Sequence, residues 1–508
     1  MLKISWFKFV LLNSILITCL NFNLFIFVYE KIQNIWLTLT FIVMYFLLIH
    51  TIFSILFIKY LTKFFSIFFI LSSLISIYFI HYYGVLIDSD MILNAMQTDV
   101  KEVKELLNWR LILLILGFLI LTTFIVKLKI VNSNKFSTKI ISISLALILF
   151  LGLFLPLTKT YIPFFRSYNE IRMYNTPFYQ IYSLWRYYSK YVKAKEKFKT
   201  IENDAYIEDN TSKKLLILVV GETARAANYS LGDYTTNDTN AYTKKENVIF
   251  FNNVSSCGTA TAISLPCMFS ISKRANFSNS EFQENALDIL QKLGVNTIWI
   301  DNNSGGCKGV CDRIKQTELY SYQYDENLLD SFKEKLKNLK NQNIIVLHLQ
   351  GSHGPTYYKR YPKEFKKFLP TCDTNTLDKC SQEALVNTYD NTLLYTDFIL
   401  SEIIALLKEK NDFQSSLIYI SDHGESLGEN GLYLHGMPYA FAPKYQTHVP
   451  LIFWSNDNNL IKLAQQYRNL KLSQDNLFSS LLGYFNVKSK VYESSYDLFS
   501  SQLRGGGE

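Results

Sequence analysis

The first 160 residues alternate long apolar runs with short polar breaks. Five runs stand out, at about 7–28, 35–58, 64–83, 111–126 and 140–157, each near the ~20 residues that cross a bilayer as a helix. The fourth is the shortest. No small-residue cleavage site follows the first run and four more spans do, so the pattern predicts an uncleaved span rather than a signal peptide. From residue 213 the texture changes. Compact apolar strands appear at 213–220 (KKLLILVV), 247–254 (NVIFFNNV), 296–301 (NTIWID), 343–349 (NIIVLHL), 416–421 (SLIYIS) and 449–455 (VPLIFWS). Most run straight into loops rich in Gly, Asp, Ser and His. Helical periods lie between them at 281–293, 328–339 and 385–408. Strands alternating with helices predict a mostly parallel α/β sheet, whose functional groups gather at the carboxyl ends of the strands. No internal repeat interrupts this, and the final RGGGE reads as a loose tail.

The chain therefore divides into a five-helix transmembrane domain (1–158, with a loop outside the cytoplasm at about 84–108), a bridge (159–212) and an α/β domain (213–508). The bridge is rich in Tyr, Phe and Trp with mostly basic charge. That composition fits a segment lying at the membrane–water boundary; packing against the α/β domain is the other reading.

Charge sets the orientation. Lys3 and Lys8 flank the first span on its N-terminal side, Lys59 and Lys63 separate spans two and three, and Lys127, Lys129, Lys135 and Lys139 separate spans four and five. The loop between spans three and four instead carries Asp90, Asp99, Glu102 and Glu105. The bias places the N-terminus in the cytoplasm and everything after the fifth span on the other side. The net charge of +8 includes no Lys/Arg block, so nothing points to nucleic acid.

Six of seven cysteines follow residue 250, in close pairs: 257 and 267, 307 and 311, 372 and 380. Their number and compartment predict disulfides, pairing of sequence neighbours being the simplest arrangement. A metal site at Cys307 and Cys311 is the alternative.

The strand ends offer chemistry. Glu222 follows the first strand, His353 the strand at 343–349, Asp422 and His423 the strand at 416–421, and His435 lies downstream. Carboxylates and imidazoles together are the set zinc accepts. Singly, each has a plainer reading: Glu222 as a cap, His348 as a satisfied core residue, which is left out. Adjacent Asp and His directly after a strand are harder to dismiss. The stretch CGTAT (257–261) leads into a helix, where Thr259 would feel free N–H groups and the helix dipole. A metal on its oxygen would make it a nucleophile; otherwise Thr259 is only an N-cap.

With its five spans and the motifs GET, CGTAT, DNNSGGCKGV, GSHGP, SDHGES and LHG, the chain resembles the membrane-bound phosphoethanolamine transferases. That family includes lipid A-modifying, polymyxin-resistance enzymes, and it carries an alkaline-phosphatase/sulfatase-like domain. The resemblance implies that Glu222, Thr259, Asp422 and His423 bind one Zn²⁺, with Thr259 the nucleophile. It implies that His353 and His435 serve the transferred group, either at a second zinc or as proton donors. It also assigns substrate contacts to Lys308, Asn94, Thr98 and Glu102; the i, i+4, i+8 spacing of the last three puts them on one helical face, with Glu102 facing the ethanolamine ammonium. Implied partners are phosphatidylethanolamine as donor and lipid A or another envelope acceptor, acted on by a monomer of the inner membrane with its catalytic domain in the periplasm.

A phosphoglycerol transferase or phosphodiesterase would use the same frame, and a non-catalytic lipid-binding protein is the reading from another class. A sulfatase is disfavoured because CGTAT lacks the C/S-x-P-x-R context. His448 receives no role.

Overall fold

A computed structural model describes the protein at all positions except residues 1, 99, 132–135, 194–197, 202–203, 209–210, 279–282 and 506–508. Asp99, Lys135, the start of the helix predicted at 281–293 and the end of the RGGGE tail thus lie outside the described residues.

The chain forms two compact units, residues 1–89 with 107–186, and residues 90–106 with 187–508. The first unit is helical. Its elements are α1 (Trp6–Leu20), α2 (Phe22–Ile32), α3 (Ile35–Leu56) and α4 (Thr62–Tyr83). The chain returns to this unit with α7 (Trp109–Lys127) and α8 (Phe136–Phe154), after α5 (Ser89–Gln97) and α6 (Val100–Leu106). Among the described residues four helices are long and apolar enough to cross a membrane, and α1 with α2 makes a fifth span if the pair counts as one. That pair is bent by 55°, where the sequence predicts one continuous run. Asn21 sits at the break. Its Nδ2 donates to the Ile17 and Thr176 carbonyls at 2.8 and 2.7 Å, and its Oδ1 accepts from Thr176 N at 2.9 Å. A side chain that satisfies freed backbone groups allows a helix to break inside an apolar layer. Polar side chains elsewhere in the bundle also find partners: His50 lies 3.3 Å from Ser14 Oγ and 2.8 Å from Ser142 Oγ.

The described residues of the bridge include two α-helices, α9 (Thr158–Ser167) and α10 (Phe178–Tyr187). The acidic loop after α4 packs with the second unit, although the sequence reading groups it with the spans.

The second unit is built on a seven-stranded sheet. Its strands are β1 (Lys214–Gly221), β2 (Ile249–Phe251), β3 (Asn296–Asp301), β4 (Gln316–Leu319), β5 (Gln342–His348), β6 (Gln414–Ser421) and β7 (Leu451–Ser455). The order is β2-β7-β6-β1-β5-β3-β4. The five strands from β6 to β4 are parallel; β7 runs antiparallel to β6, and β2 antiparallel to β7. Flanking helices include α11 (Thr261–Met268), α12 (Ala286–Lys292), α13 (Leu328–Lys335) and α14 (Gln382–Lys408). The inner strands β1, β5 and β6 are buried on both faces, which is why they read as continuous apolar runs.

Register aligns the strand ends. Ser421 pairs with Gly221, and Val220 with His348. The residues just past β6, β1 and β5 therefore emerge side by side. The six late cysteines pair as sequence neighbours, 257–267, 307–311 and 372–380, which sets aside a metal at Cys307 and Cys311.

Candidate active site

The end of β1 delivers Glu222 and the end of β6 delivers Asp422 and His423, all three fully buried. His423 Nε2 lies 3.4 Å from Glu222 Oε1 and 3.3 Å from Asp422 Oδ2. Backbone geometry holds them. Asp422 Oδ1 accepts from the N–H groups of Thr223 (3.1 Å) and His423 (2.7 Å). Thr223 adopts φ of 60°, a rare conformation for a β-branched residue. It is pinned there by Tyr389, whose hydroxyl donates to the Thr223 carbonyl at 2.8 Å and accepts from Arg225 N at 3.0 Å. Gly351, φ 51°, lets the loop after β5 press on Glu222: a Cβ there would meet the Glu222 carbonyl oxygen at 2.8 Å.

One ligand atom from each of Glu222, Asp422 and His423 lies within 4.8 Å of the others. The donor set fits a cation. Asp422 Oδ2 is buried with no hydrogen-bond partner among the described residues, an expensive state for a carboxylate oxygen. His423 Nδ1–H donates to the Gly424 carbonyl at 2.9 Å, which fixes the tautomer with Nε2 turned to the carboxylates, as metal-ligating imidazoles are held. Burial and the neighbouring Glu222 charge push the Asp422 carboxyl up to about 7. Burial opposes a charge on His423, but the charge of Asp422 and its contact with Glu222 outweigh it and raise its pKa to about 10. Without a cation the trio must therefore keep protons to share one buried space.

The hydroxyl that meets this trio belongs to Thr261. Its Oγ1 donates to Glu222 Oε2 at 3.0 Å and lies 3.4 Å from His423 Nε2. The sequence reading chose Thr259, and the geometry departs from it. Thr259 Oγ1 donates to the Met437 carbonyl at 2.6 Å, and its own carbonyl accepts from Gly436 N at 2.8 Å. It clips the loop that carries His435. The physical reason is the position of the helix start. Ala260 is the extended N-cap (φ −151°) and Thr261 is the first residue of α11, so the argument from helix dipole and free N–H groups selects Thr261. Ser264, one turn on, donates to the Asp422 carbonyl and, at 2.7 Å, to Gln474 Oε1, tying α11 to the end of β6.

His435 and His353 flank the trio. The His435 ring centroid lies 4.3 Å from that of His423 and 5.8 Å from that of His353. His435 Nδ1–H donates to Glu425 Oε2 at 2.9 Å. His353 Nε2 pairs with Glu102 Oε1 at 3.3 Å. Burial pulls the His353 pKa down, but the Glu102 charge prevails and raises it to about 9.

The other expected contacts are less united. Asn94 and Thr98 do not share a helical face with Glu102, because α5 ends at Gln97 and α6 begins at Val100. The Thr98 hydroxyl donates back to the Asn94 carbonyl at 2.9 Å, a local bond that competes with helix continuation. The Lys308 ammonium donates to the Gln97 carbonyl at 3.3 Å and lines a cavity of about 440 Å³ beside Ala262 and Pro266 of α11. His348 is buried with Nδ1 on Asp301 Oδ2 at 3.0 Å, and His448 holds the Asn252 carbonyl at 3.0 Å. Sequence reasoning missed Asn303, whose Nδ2 donates to Glu222 Oε2 at 2.9 Å, and Glu425. Both lie inside motifs it singled out, DNNSGG and SDHGES.

A parallel sheet with buried acid and imidazole at its strand ends, facing a hydroxyl at a helix start, defines the alkaline-phosphatase-like class. Residues 214–487 match the sulfatase family, and residues 45–192 match the family described as phosphoethanolamine transferase EptA/EptB. The chain is 42% identical over 468 residues to phosphoethanolamine transferase EptA of Escherichia coli K12, covering 86% of this chain and 85% of that protein. It is similar to the integral membrane lipooligosaccharide phosphoethanolamine transferase A (EptA) of Neisseria meningitidis, with 30% identity and a TM-score of 0.92 over 98% of this chain and 99% of that one. It is also similar to the C-terminal periplasmic domain of phosphoethanolamine transferase EptC of Campylobacter jejuni, with 72% identity and a TM-score of 0.60 over 61% of this chain and all of that one. The chain belongs to the EptA/Mcr family and is a phosphoethanolamine transferase.

Proposed function

We propose that the protein is held in the inner membrane with its second unit in the periplasm. There it moves phosphoethanolamine from phosphatidylethanolamine to lipid A or a related envelope acceptor, by way of a phosphoethanolamine–Thr261 intermediate. The observation that carries this reading is the Thr261 hydroxyl on Glu222 and His423. Glu222, Asp422, His423 and the Thr261 oxygen would hold a zinc ion. Bound there, zinc supplies positive charge that lowers the hydroxyl's pKa and offsets charge on phosphoryl oxygens.

The chain's own groups do the rest. In the first half-reaction Thr261 Oγ1 passes its proton to Glu222 Oε2, to which it is hydrogen-bonded, a bond forms between Oγ1 and phosphorus, and the bond from phosphorus to the glycerol oxygen breaks. The departing oxygen takes a proton from His435 or His353 and leaves as diacylglycerol. In the second, an acceptor oxygen gives its proton to the same imidazole and bonds to phosphorus, the bond between phosphorus and Thr261 Oγ1 breaks, and Oγ1 recovers its proton from Glu222. Glu425 orients His435. Glu102, which burial alone would raise but whose pairing with His353 keeps it below the ordinary carboxylate range, offers a negative charge to the ethanolamine ammonium.

Reconstitution of the full chain in vesicles holding phosphatidylethanolamine and lipid A tests the reading. A mass gain of one phosphoethanolamine on the acceptor, matched by diacylglycerol, is expected. Diacylglycerol release with no modified acceptor would make the protein a phosphodiesterase instead.

A further inference from the structure

Two carboxylates of α6 enter the second unit one helical turn apart. Glu102 reaches His353. Glu105 reaches Arg360, and both partners of that pair are almost fully buried, 8% and 6% exposed. The same guanidinium uses Nε to donate to the His353 backbone carbonyl at 2.8 Å. Asn375 Nδ2 fixes the end of α6 from the other side, donating to the Glu105 carbonyl at 2.9 Å. Arg360 therefore forks between the helix that carries Glu102 and the loop that carries His353. The fork matters because residues 90–106 pack with the second unit while the chain on both sides of them belongs to the first. A seven-residue helix has little stability of its own, so its position depends on these contacts.

We propose that Glu105 and Arg360 are positioning residues for headgroup recognition: their buried pair seats α6 so that Glu102 stands at His353, where it meets the donor's ammonium. This rests on the phosphoethanolamine-transfer reading above and adds to it the residues that set donor affinity. Glu105 acts through Glu102, while Arg360 holds both Glu105 and the His353 carbonyl. A guanidinium is the right group for this, since its planar fork serves two acceptors in fixed geometry while an ammonium serves them as a point charge.

The test uses the full chain in lipid nanodiscs of defined phosphatidylethanolamine content. Initial rates are measured for wild type, Glu105→Gln, Arg360→Lys, Glu102→Gln and the double variant Glu102→Gln/Glu105→Gln. Expected is a rise of about tenfold in donor KM for Glu105→Gln with kcat within about twofold, the signature of lost binding common to ground and transition states, and the same rise in KM for Arg360→Lys, whose lost hold on the His353 carbonyl lowers kcat as well. In the Glu102→Gln background, Glu105→Gln should add almost nothing, because its route of action is gone. An undiminished effect in that background, or a fall in kcat with KM unchanged, overturns the proposal. Should Glu105→Gln fail to fold, Arg360→Lys carries the same comparison; loss of the fold in both variants marks the pair as structural and also overturns it. Failure of the transfer reading looks different: wild type itself then modifies no acceptor.

Discussion

The Thr261 hydroxyl donates to Glu222 Oε2 at 3.0 Å, across the gap between the start of α11 and the end of β1. Thr259, two residues earlier, turns the other way and holds the Met437 carbonyl. The two threonines of one motif thus face different partners, Thr261 the buried trio and Thr259 the loop that carries His435, and the proposed function gives the chemistry to Thr261. Thr261→Ala should reduce acceptor modification by at least about a thousandfold while leaving Tm near wild type. Thr259→Ala removes one neutral hydrogen bond, worth about 1 kcal/mol, and should keep activity within about tenfold. Lipid mass spectrometry of membranes carrying each variant distinguishes them.

The buried trio predicts a metal dependence that does not need activity to be seen. Chelation of the purified full chain should release metal, measured by inorganic mass spectrometry, and should lower Tm, because an ion bound only to the folded state adds stability by mass action. His423→Ala should lower metal content as well, since the only imidazole of the trio is gone. His448→Ala should leave the metal content unchanged, its Nε2 being committed to the Asn252 carbonyl.

The Cys257–Cys267 disulfide closes a ten-residue separation around α11. A cross-link of that span stabilises by about 2–3 kcal/mol through the unfolded chain. Cys257→Ser/Cys267→Ser should lower Tm by several degrees. It should also reduce transfer more than the stability loss alone explains, because Thr261 lies within the closed loop. Thermal scans alongside transfer rates at a temperature well below both transitions check this.

Asp497 predicts a pH-dependent stability. Burial pushes its carboxyl up to about 7 from the usual 3.8. An unfolded Asp497 has released its proton above about pH 4, whereas the folded one keeps it until about 7. Between those values the unfolded state binds fewer protons, so stability falls as pH rises through the window. Asp397, raised to about 6 by burial, adds a slope of the same sign. Asp497→Asn should flatten Tm against pH between about 5 and 7 relative to wild type; parallel curves for the two proteins would contradict the assignment.

Apolar pattern made much of this molecule legible. The spans appear close to where the runs lie, and Glu222, Asp422 and His423 emerge where buried strands end, because strands buried on both faces leave an unbroken apolar signature. The choice between Thr259 and Thr261 was not legible, because it turns on which residue first adopts helical geometry. That boundary is set by contacts such as Ser264 to Gln474, which are 210 residues apart. The shared face expected of Asn94, Thr98 and Glu102 needs one continuous helix, and α5 ends at Gln97 before α6 begins at Val100. The Glu105–Arg360 pair joins positions 255 residues apart, and neither residue belongs to a motif.

The central claim concerns one oxygen atom. Full-length protein in phosphatidylethanolamine vesicles without acceptor, quenched and digested, can be sequenced by tandem mass spectrometry across the peptide that spans residues 257–267. The account predicts a phosphoethanolamine adduct localised to Thr261 and absent from Thr259. An adduct on Thr259, or acceptor modification that proceeds undiminished in Thr261→Ala, would contradict it.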